Sequence, residues 1–289
     1  MRLKTYYPLP KFPPISLSGA ACNLHCAHCD ATYLGGMLPA DTPEALVERC
    51  RALRQNGAIG ALLSGGSDTD GTLLNLAAIT DAIRQAKQET GLILNLHPGL
   101  IDAATAQRLT GAVDFASLDI PSDDVIQRVL RLDATTANYI AAYHTLRAAR
   151  IDVVPHVTVY NGDEAGLLQS IAAGDDLPHT VVVIVFSPTR GTPLADVPAP
   201  EPEAVANVVA GIKALFPAAE ISLGCMRPRT RPLREAIELA ALQAGVARME
   251  LPSQKTLRYA RDAGYDIVMF DACCALPEVY ESIALRSEP

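Results

Sequence analysis

The stretch GALLSGGSD, residues 60–68, is a short apolar run that ends in two glycines followed by polar residues. Helical patterns flank it, over residues 42–55, which open with Thr-Pro-Glu, and over residues 73–90. A short apolar run bounded by turn residues predicts a buried strand, and proline in the first turn is typical of a helix start. This part of the chain is therefore predicted to fold as helix, strand and helix.

The same alternation continues along the chain. Apolar runs predict strands at residues 15–18, 60–64, 92–97, 115–120, 153–160, 180–187, 221–225 and 246–251. Further helical patterns cover residues 103–110, 135–150, 165–173, 203–216 and 234–244. Eight strands alternating with helices predict an α/β fold, specifically a (β/α)8 TIM-type barrel. We expect an N-terminal extension over residues 1–14, the barrel over 15–266 and a short C-terminal cap over 267–289.

Composition limits the function classes. The formal net charge is −8, which argues against a nucleic-acid partner or an anionic membrane surface. Hydrophobic residues make up 49% of the chain and charged residues 19%, as in a globular protein with a large core. The start lacks a signal-peptide pattern, and no apolar run is long enough to span a membrane. We therefore expect a cytoplasmic protein without a membrane partner.

Three cysteines in eight residues carry the strongest chemical signal. Cys22, Cys26 and Cys29 have the spacing C-x3-C-x2-C, and three thiolates can hold three irons of an iron–sulfur cluster. A zinc site completed by His25 or His28 is the alternative. Seven cysteines in 289 residues are too sparse for a disulfide scaffold.

Other unusual segments follow predicted strands, where barrel active sites form. They are LSGGSD (63–68), LNLHPG (94–99), SLDI (117–120), FSPTRGTP (186–193) and LGCMRPR (223–229). Arg227 and Arg229 in the last segment either bind a carboxylate or form surface ion pairs. The cap contains a pair of adjacent cysteines in DACC, residues 271–274.

Taken with these segments, the cysteine motif resembles that of the radical S-adenosylmethionine (SAM) superfamily. LSGGSD, VPHV (154–157), VFSPTRGTP (185–193), LGCMRPR and DACC are most similar to the biotin-synthase-like branch, which includes the two-component lipoyl synthases. No cysteine precedes Cys22, whereas single-chain lipoyl synthases have a cysteine motif there. The resemblance is therefore closest to a subunit of the two-component type.

The resemblance implies two cofactors, SAM and [4Fe-4S] clusters, of which two are expected. Cys22, Cys26 and Cys29 would hold the cluster that binds SAM. Cys225, Cys273 and Cys274 would hold an auxiliary cluster, unless they are simply small apolar core residues. The implied SAM-binding residues are Ser64, Gly65, Gly66, Ser67 (where an acidic residue is common), Asn95, Asp119, His156, Pro188, Gly191 and Thr192.

The resemblance also implies a reaction and partners. SAM cleavage would give a 5′-deoxyadenosyl radical, and the sacrificial auxiliary cluster would donate sulfur to C6 or C8 of an octanoyl chain on a carrier-protein lysine. The implied partners are the octanoylated carrier, a second lipoyl synthase subunit, and flavodoxin or ferredoxin as reductant. No catalytic side chain is predicted. Two alternatives stay open: a radical SAM enzyme that methylates or rearranges a small molecule, and a non-catalytic iron–sulfur electron-transfer or binding protein.

Overall fold

The computed structural model describes residues 1–286, which belong to two compact units. The N-terminal unit is Leu9–Val153, and the C-terminal unit combines Met1–Pro8 with the described part of Val154–Pro289. The strands in residues 1–286 are β1 Arg2–Tyr6, β2 Pro14–Ser16, β3 Leu38–Pro39, β4 Gly60–Ser64, β5 Ile93–Leu96, β6 Phe115–Asp119, β7 Asp152–Val159, β8 Thr180–Val185, β9 Glu220–Leu223, β10 Arg248–Glu250 and β11 Asp266–Phe270.

Helices separate most of these strands. They are α1 Pro43–Gln55, α2 Leu76–Thr90, α3 Ala103–Leu109, α4 Asp123–Val125, α5 Thr136–Ala148, α6 Gln169–Ala172, α7 Pro202–Leu215, α8 Arg231–Ala244, α9 Gln254–Asp262 and α10 Glu281–Ala284. Short 3-10 helices cover Thr32–Gly36, Glu164–Leu168 and Glu278–Tyr280, and a π-helix covers Ile126–Leu130.

Strands pair in parallel within each unit. In the N-terminal unit the order is β6-β5-β4-β2-β3, and in the C-terminal unit it is β11-β1-β10-β9-β8-β7. Strand β7 begins at Asp152, at the end of the N-terminal unit. The predicted α/β class, in which parallel strands alternate with helices as in a TIM-type barrel, is confirmed.

Local sequence explains the main elements. The Thr42 side chain caps α1 by accepting a hydrogen bond from the Ala45 N–H at 3.2 Å, and Pro43 occupies the first turn. Strand β8 is apolar after Thr180, and its neighbouring residues Val181 and Val182, which point to opposite faces, are 0% and 1% exposed, as expected for a parallel strand covered on both faces. All eight predicted strands are present, with boundaries shifted by up to a few residues.

Three strands were not predicted: β1, β3 and β11. Strand β1 reads RLKTY and so has no apolar run that would predict a buried strand, yet Lys4 at its centre is only 6% exposed. Its ammonium group lies 2.8 Å from Glu220 and 2.9 Å from Glu281, and pairing with such distant residues leaves no local signal. Residues 2–6 and 266–270 are thus sheet strands paired in parallel with each other. The domain boundaries after residues 14 and 266 stay predictions.

Among residues 1–286, no helix has both the length and the apolar character needed to cross a membrane.

Candidate active site

The three N-terminal cysteines lie in the loop between β2 and β3 of the N-terminal unit. The sulfurs of Cys26 and Cys29 and a ring nitrogen of His28 all lie within 4.8 Å of one another. Cys22 is outside this group, but its charge raises the pKa of Cys26, and its sulfur lies 3.8 Å from the Ser67 carbonyl oxygen. All three thiols are free.

Tight turns bring these thiols together. The Cys29 and Asp30 N–H groups both donate to the Cys26 carbonyl, at 3.2 and 2.9 Å. His25, Asp30 and Ala31 have positive φ angles of 49°, 43° and 59°, which cost conformational energy in residues other than glycine. The loop therefore needs support from the segments around it.

The two-glycine turn after β4 supplies part of that support. A Cβ atom on Gly66 would lie 2.1 Å from the Ala21 carbonyl oxygen and 2.6 Å from the Cys22 Cα. The adjacent Ser67 carbonyl accepts hydrogen bonds from the Asn23 and Leu24 N–H groups at 2.9 and 3.1 Å. The turn thus touches the cysteine loop directly, which only glycine at position 66 allows.

Two further contacts fix the loop, and the sequence analysis missed both. The Ser18 hydroxyl accepts from the Gly66 N–H at 2.7 Å and donates to the Ala21 carbonyl at 2.8 Å. The Val129 carbonyl in the π-helix accepts from the Ala27 N–H at 2.7 Å. Serine is common at strand ends and a backbone carbonyl has no sequence signature, so neither role could be found from residue type.

Hydrogen bonding makes the thiols unequal. The hydrogen bond between Cys26 and Cys29 raises the pKa of Cys26, with burial adding to the effect. The same bond lowers the pKa of Cys29 to about 7, against the effect of burial. Cys29 is therefore the first of this pair to form the thiolate, which is the metal-binding form of cysteine.

His28 is the residue on which the zinc alternative depends. Burial lowers the pKa of His28, although the Asp119 charge opposes this, so its imidazole is neutral near pH 7. Its Nδ1 atom is buried without a hydrogen-bond partner among the described residues. A neutral imidazole beside two thiols suits zinc as well as iron, so the geometry around His28 does not distinguish the two metals.

Polar residues at the ends of β5 and β6 lie in the same unit. Asn95 and Ser117 are buried and hydrogen-bond to each other at 3.0 Å. The His97 Nε2 atom lies 3.6 Å from an Asp119 carboxylate oxygen. Burial lowers the pKa of His97, but the charge and hydrogen bond of Asp119 raise it more, so the net shift is upward. A role for Asn95 or Asp119 in SAM binding stays a prediction.

Of the remaining predicted SAM-binding residues, Ser64 ends β4 and Gly65 follows it in the N-terminal unit, whereas the other four belong to the C-terminal unit. His156 lies on β7, with its Nδ1 atom 3.0 Å from the Val154 carbonyl. Pro188, Gly191 and Thr192 lie in a turn in which the Thr192 hydroxyl donates to the Thr189 carbonyl at 2.8 Å. Gly191 has a φ of 85°, which favours glycine. Their contact with SAM stays a prediction.

Three more thiols follow strands of the C-terminal unit. Cys225 follows β9, while Cys273 and Cys274 follow β11. Cys225 is exposed as a residue, but the protein atoms around its thiol raise its pKa to about 12, and the charges of Glu250 and Cys273 add to this. Burial also raises the pKa of Cys274, together with the charges of Cys273 and Cys225. Because β9 and β11 belong to one parallel sheet, the segments that carry the three cysteines leave that sheet at the same edge.

Arg227 is not on the surface, so a surface ion pair is the wrong interpretation for this residue. It is 4% exposed and pairs with fully buried Glu238 at 2.9 Å. Glu238 lies eleven residues further on, in α8, and no sequence pattern pairs these two residues.

Comparison with known proteins settles the family. Residues 17–165, which include the cysteine loop and the two-glycine turn, match the Radical SAM superfamily. The chain belongs to this superfamily. It is 26% identical over 228 residues to a biotin synthase of Methylococcus capsulatus, covering 74% of this chain and 68% of that protein. It is 24% identical over 226 residues to biotin synthase 2 of Paracoccus denitrificans, covering 74% and 69%.

Solved structures support the same fold. Methylornithine synthase (PylB) superposes with a TM-score of 0.60 at 19% identity, over 88% of this radical SAM chain and 74% of that one. The hydrogenase maturase HydG from Carboxydothermus hydrogenoformans gives a TM-score of 0.64 at 17% identity, over 97% and 69%. The predicted superfamily is confirmed, and the similarity to biotin synthases supports the predicted biotin-synthase-like branch. Membership implies a [4Fe-4S] cluster and SAM, and the thiols of the cysteine loop are a suitable donor set.

Proposed function

We propose that this radical SAM enzyme inserts sulfur into an unactivated carbon chain, as a subunit of a two-component lipoyl synthase. The observation that carries the proposal is the second group of thiols, Cys225, Cys273 and Cys274, which follow the carboxyl ends of the parallel strands β9 and β11. The biotin synthases among its relatives support sulfur chemistry. The resemblance of LGCMRPR and DACC to the two-component lipoyl synthases supports the octanoyl substrate.

The cysteine loop would hold the first cluster through Cys22, Cys26 and Cys29, leaving one iron for SAM. When bound, the cluster and SAM together supply a radical strong enough to remove hydrogen from an unactivated carbon. The chain's own part is to hold the loop rigidly. Gly66 permits the close approach of the two loops, and Ser18 joins them by two hydrogen bonds. Such fixed support keeps reacting groups aligned.

The second thiol group would hold an auxiliary cluster, whose sulfide is the sulfur source. Sulfur would enter at C6 or C8 of an octanoyl chain on a carrier-protein lysine, and a second lipoyl synthase subunit would serve the other position. Reduced flavodoxin or ferredoxin would supply the electron.

Iron content after anaerobic reconstitution tests this proposal first. The wild type is expected to hold about eight irons, and a Cys22/Cys26/Cys29→Ala variant about four. Cys50→Ala is the matched control, because this buried cysteine lies in α1, outside both groups. About four irons in the wild type and almost none in the triple variant would overturn the auxiliary cluster. Zinc in place of iron would overturn the radical reaction itself.

The second assay identifies the substrate. The reconstituted enzyme, SAM and a reductant are incubated with an octanoylated carrier domain, and mass spectrometry locates any added sulfur. Sulfur at C6 or C8 supports a lipoyl synthase subunit. SAM cleavage without sulfur transfer, with or without the partner subunit, would favour the alternative of a methylating or rearranging radical SAM enzyme.

A further inference from the structure

Two arginines are buried in the C-terminal unit beside the segments that carry the second thiol group. Arg248 on β10 is fully buried, and Arg227 is 4% exposed. Arginine keeps its charge at every accessible pH, so burial requires ion pairs or several hydrogen bonds. The partners of each arginine therefore indicate what it holds in place.

Arg248 holds the segment after β11. One terminal nitrogen (Nη1) donates to the Leu276 carbonyl at 2.7 Å and to the Cys274 carbonyl at 3.3 Å. The Nε atom lies 2.6 Å from Glu220, and Nη2 pairs with Glu281. One guanidinium thus links a cysteine of the second thiol group to two carboxylates from distant parts of the chain.

The carboxylates that hold Arg248 are themselves fixed. Lys4 on β1 pairs with Glu220 at 2.8 Å and with Glu281 at 2.9 Å, and the Tyr6 hydroxyl donates to Glu281 at 2.8 Å. Charged hydrogen bonds are stronger than neutral ones when buried. Arg248 is therefore oriented by β1, β9 and α10, and its orientation sets the position of the Cys274 backbone.

Arg227 makes a corresponding set of contacts at the other segment. Its Nη1 atom donates at 2.6 Å to the carbonyl of Gly224, the residue immediately before Cys225. Its Nη2 atom donates at 2.5 Å to the Glu250 carbonyl at the end of β10. Glu238 orients this guanidinium at 2.9 Å. Arg227 thus ties the backbone beside Cys225 to the end of the neighbouring strand.

We propose that Arg227 and Arg248 are positioning residues for the second thiol group, each holding one of the two segments that carry its cysteines. Neither arginine is proposed as a ligand, because their donors are used by carbonyls and carboxylates. The inference rests on the proposed function for the presence of a cluster. A lysine could keep the charge but not the planar fork that reaches carbonyls and carboxylates together.

Lysine substitutions in the Cys22/Cys26/Cys29→Ala background test the inference, because only the second thiol group then binds iron. Arg248→Lys retains a charge for Glu220 and Glu281, so folding is protected better than with an apolar residue. Arg227→Lys is the second variant, for the case that the first does not fold. The matched control is Arg84→Lys, since Arg84 also donates to two carbonyls, those of Thr110 and Arg108, in the N-terminal unit.

Loss of iron to a chelator is followed by absorbance, and the reduced cluster by electron paramagnetic resonance. Outer partners of metal ligands change affinity by about 10- to 100-fold, so we expect at least about tenfold faster iron loss in Arg248→Lys and Arg227→Lys. Arg84→Lys should match its parent. Unchanged iron loss and spectra in folded lysine variants would overturn the inference alone. No iron in the parent would overturn the auxiliary cluster of the proposed function, and the inference with it.

Discussion

Gly66 offers the sharpest test of how the cysteine loop is held. Replacing it with alanine places a Cβ atom 2.1 Å from the Ala21 carbonyl oxygen and 2.6 Å from both Cα and Cβ of Cys22. Two of these three atoms belong to the backbone, so no simple rotation of a side chain relieves the overlap. Gly66→Ala must therefore move the two-glycine turn away from the cysteine loop.

The size of the effect follows from the kind of contact. Overpacking costs typically about 1–3 kcal/mol, and contacts with backbone atoms put this case near 3 kcal/mol. One kcal/mol lowers the melting temperature by about 2–4 °C in a protein of roughly this size. We therefore expect Gly66→Ala to melt about 6–12 °C lower than the wild type. Displacement of Cys22 should also remove the iron of the first cluster.

Thermal unfolding followed by circular dichroism, and iron content after reconstitution, measure both effects. Gly35→Ala is the matched control, because its new Cβ atom would meet nothing within 4 Å. It should keep the melting temperature and the iron. If Gly66→Ala equals Gly35→Ala in both measurements, the two loops do not pack as described and the reasoning is refuted.

Three further predictions concern hydrogen bonds and charges. Ser18→Ala removes the two hydrogen bonds of the Ser18 hydroxyl and leaves the buried Gly66 N–H without its acceptor, so urea denaturation should show a loss of about 1–3 kcal/mol. Burial raises the pKa of Glu238, but Arg227 and other donors lower it below its ordinary value of 4.5. The stabilisation that this carboxylate gives is thus present above pH 4.5 and disappears as the pH falls through the folded-state pKa. When the free energy of unfolding is measured against pH, Glu238→Gln should be less stable than the wild type at neutral pH, and this difference should shrink in acid. In metal-free protein, iodoacetamide should modify Cys29 before Cys26 near pH 7, as mass spectrometry of timed samples will show.

Each of these has its own control. A wild-type denaturation curve for Ser18→Ala would mean that other contacts hold the loops together. Glu203 is exposed in the first turn of α7, so Glu203→Gln should show no comparable pH dependence, and an equal dependence would contradict the role of burial. Cys50, whose pKa burial raises to about 11, is the slow internal reference for alkylation; Cys29 reacting as slowly would disprove its lowered pKa.

Buried parallel strands were predictable because they are nearly continuous apolar runs. Strand β8 is the clearest case, with its unbroken run of valine and isoleucine. Strand β1 was not predictable, because Lys4 is buried only through partners more than two hundred positions away. A local sequence pattern shows that burying a charged residue would be costly, but it does not show the distant group whose ion pair offsets that cost.

Part of the candidate site was likewise predictable from the sequence, and part was not. The spacing of Cys22, Cys26 and Cys29 predicted a metal site, because metal ligands that are close together in the chain can be recognised from the sequence alone. Their supports, the Ser18 hydroxyl and the Val129 carbonyl, are ordinary groups whose role comes only from where the fold brings them.

The attachment of the cysteine loop to the Ser67 carbonyl has a consequence for how this chain can vary. Two N–H groups and the Cys22 thiol converge on that main-chain oxygen, and every amino acid has such an oxygen. The side chain at position 67 can therefore be replaced without removing the hydrogen bonds that hold the cysteine loop. A substitution at position 67 that keeps the path of the main chain is thus expected to leave the anchoring of the cysteine loop unchanged.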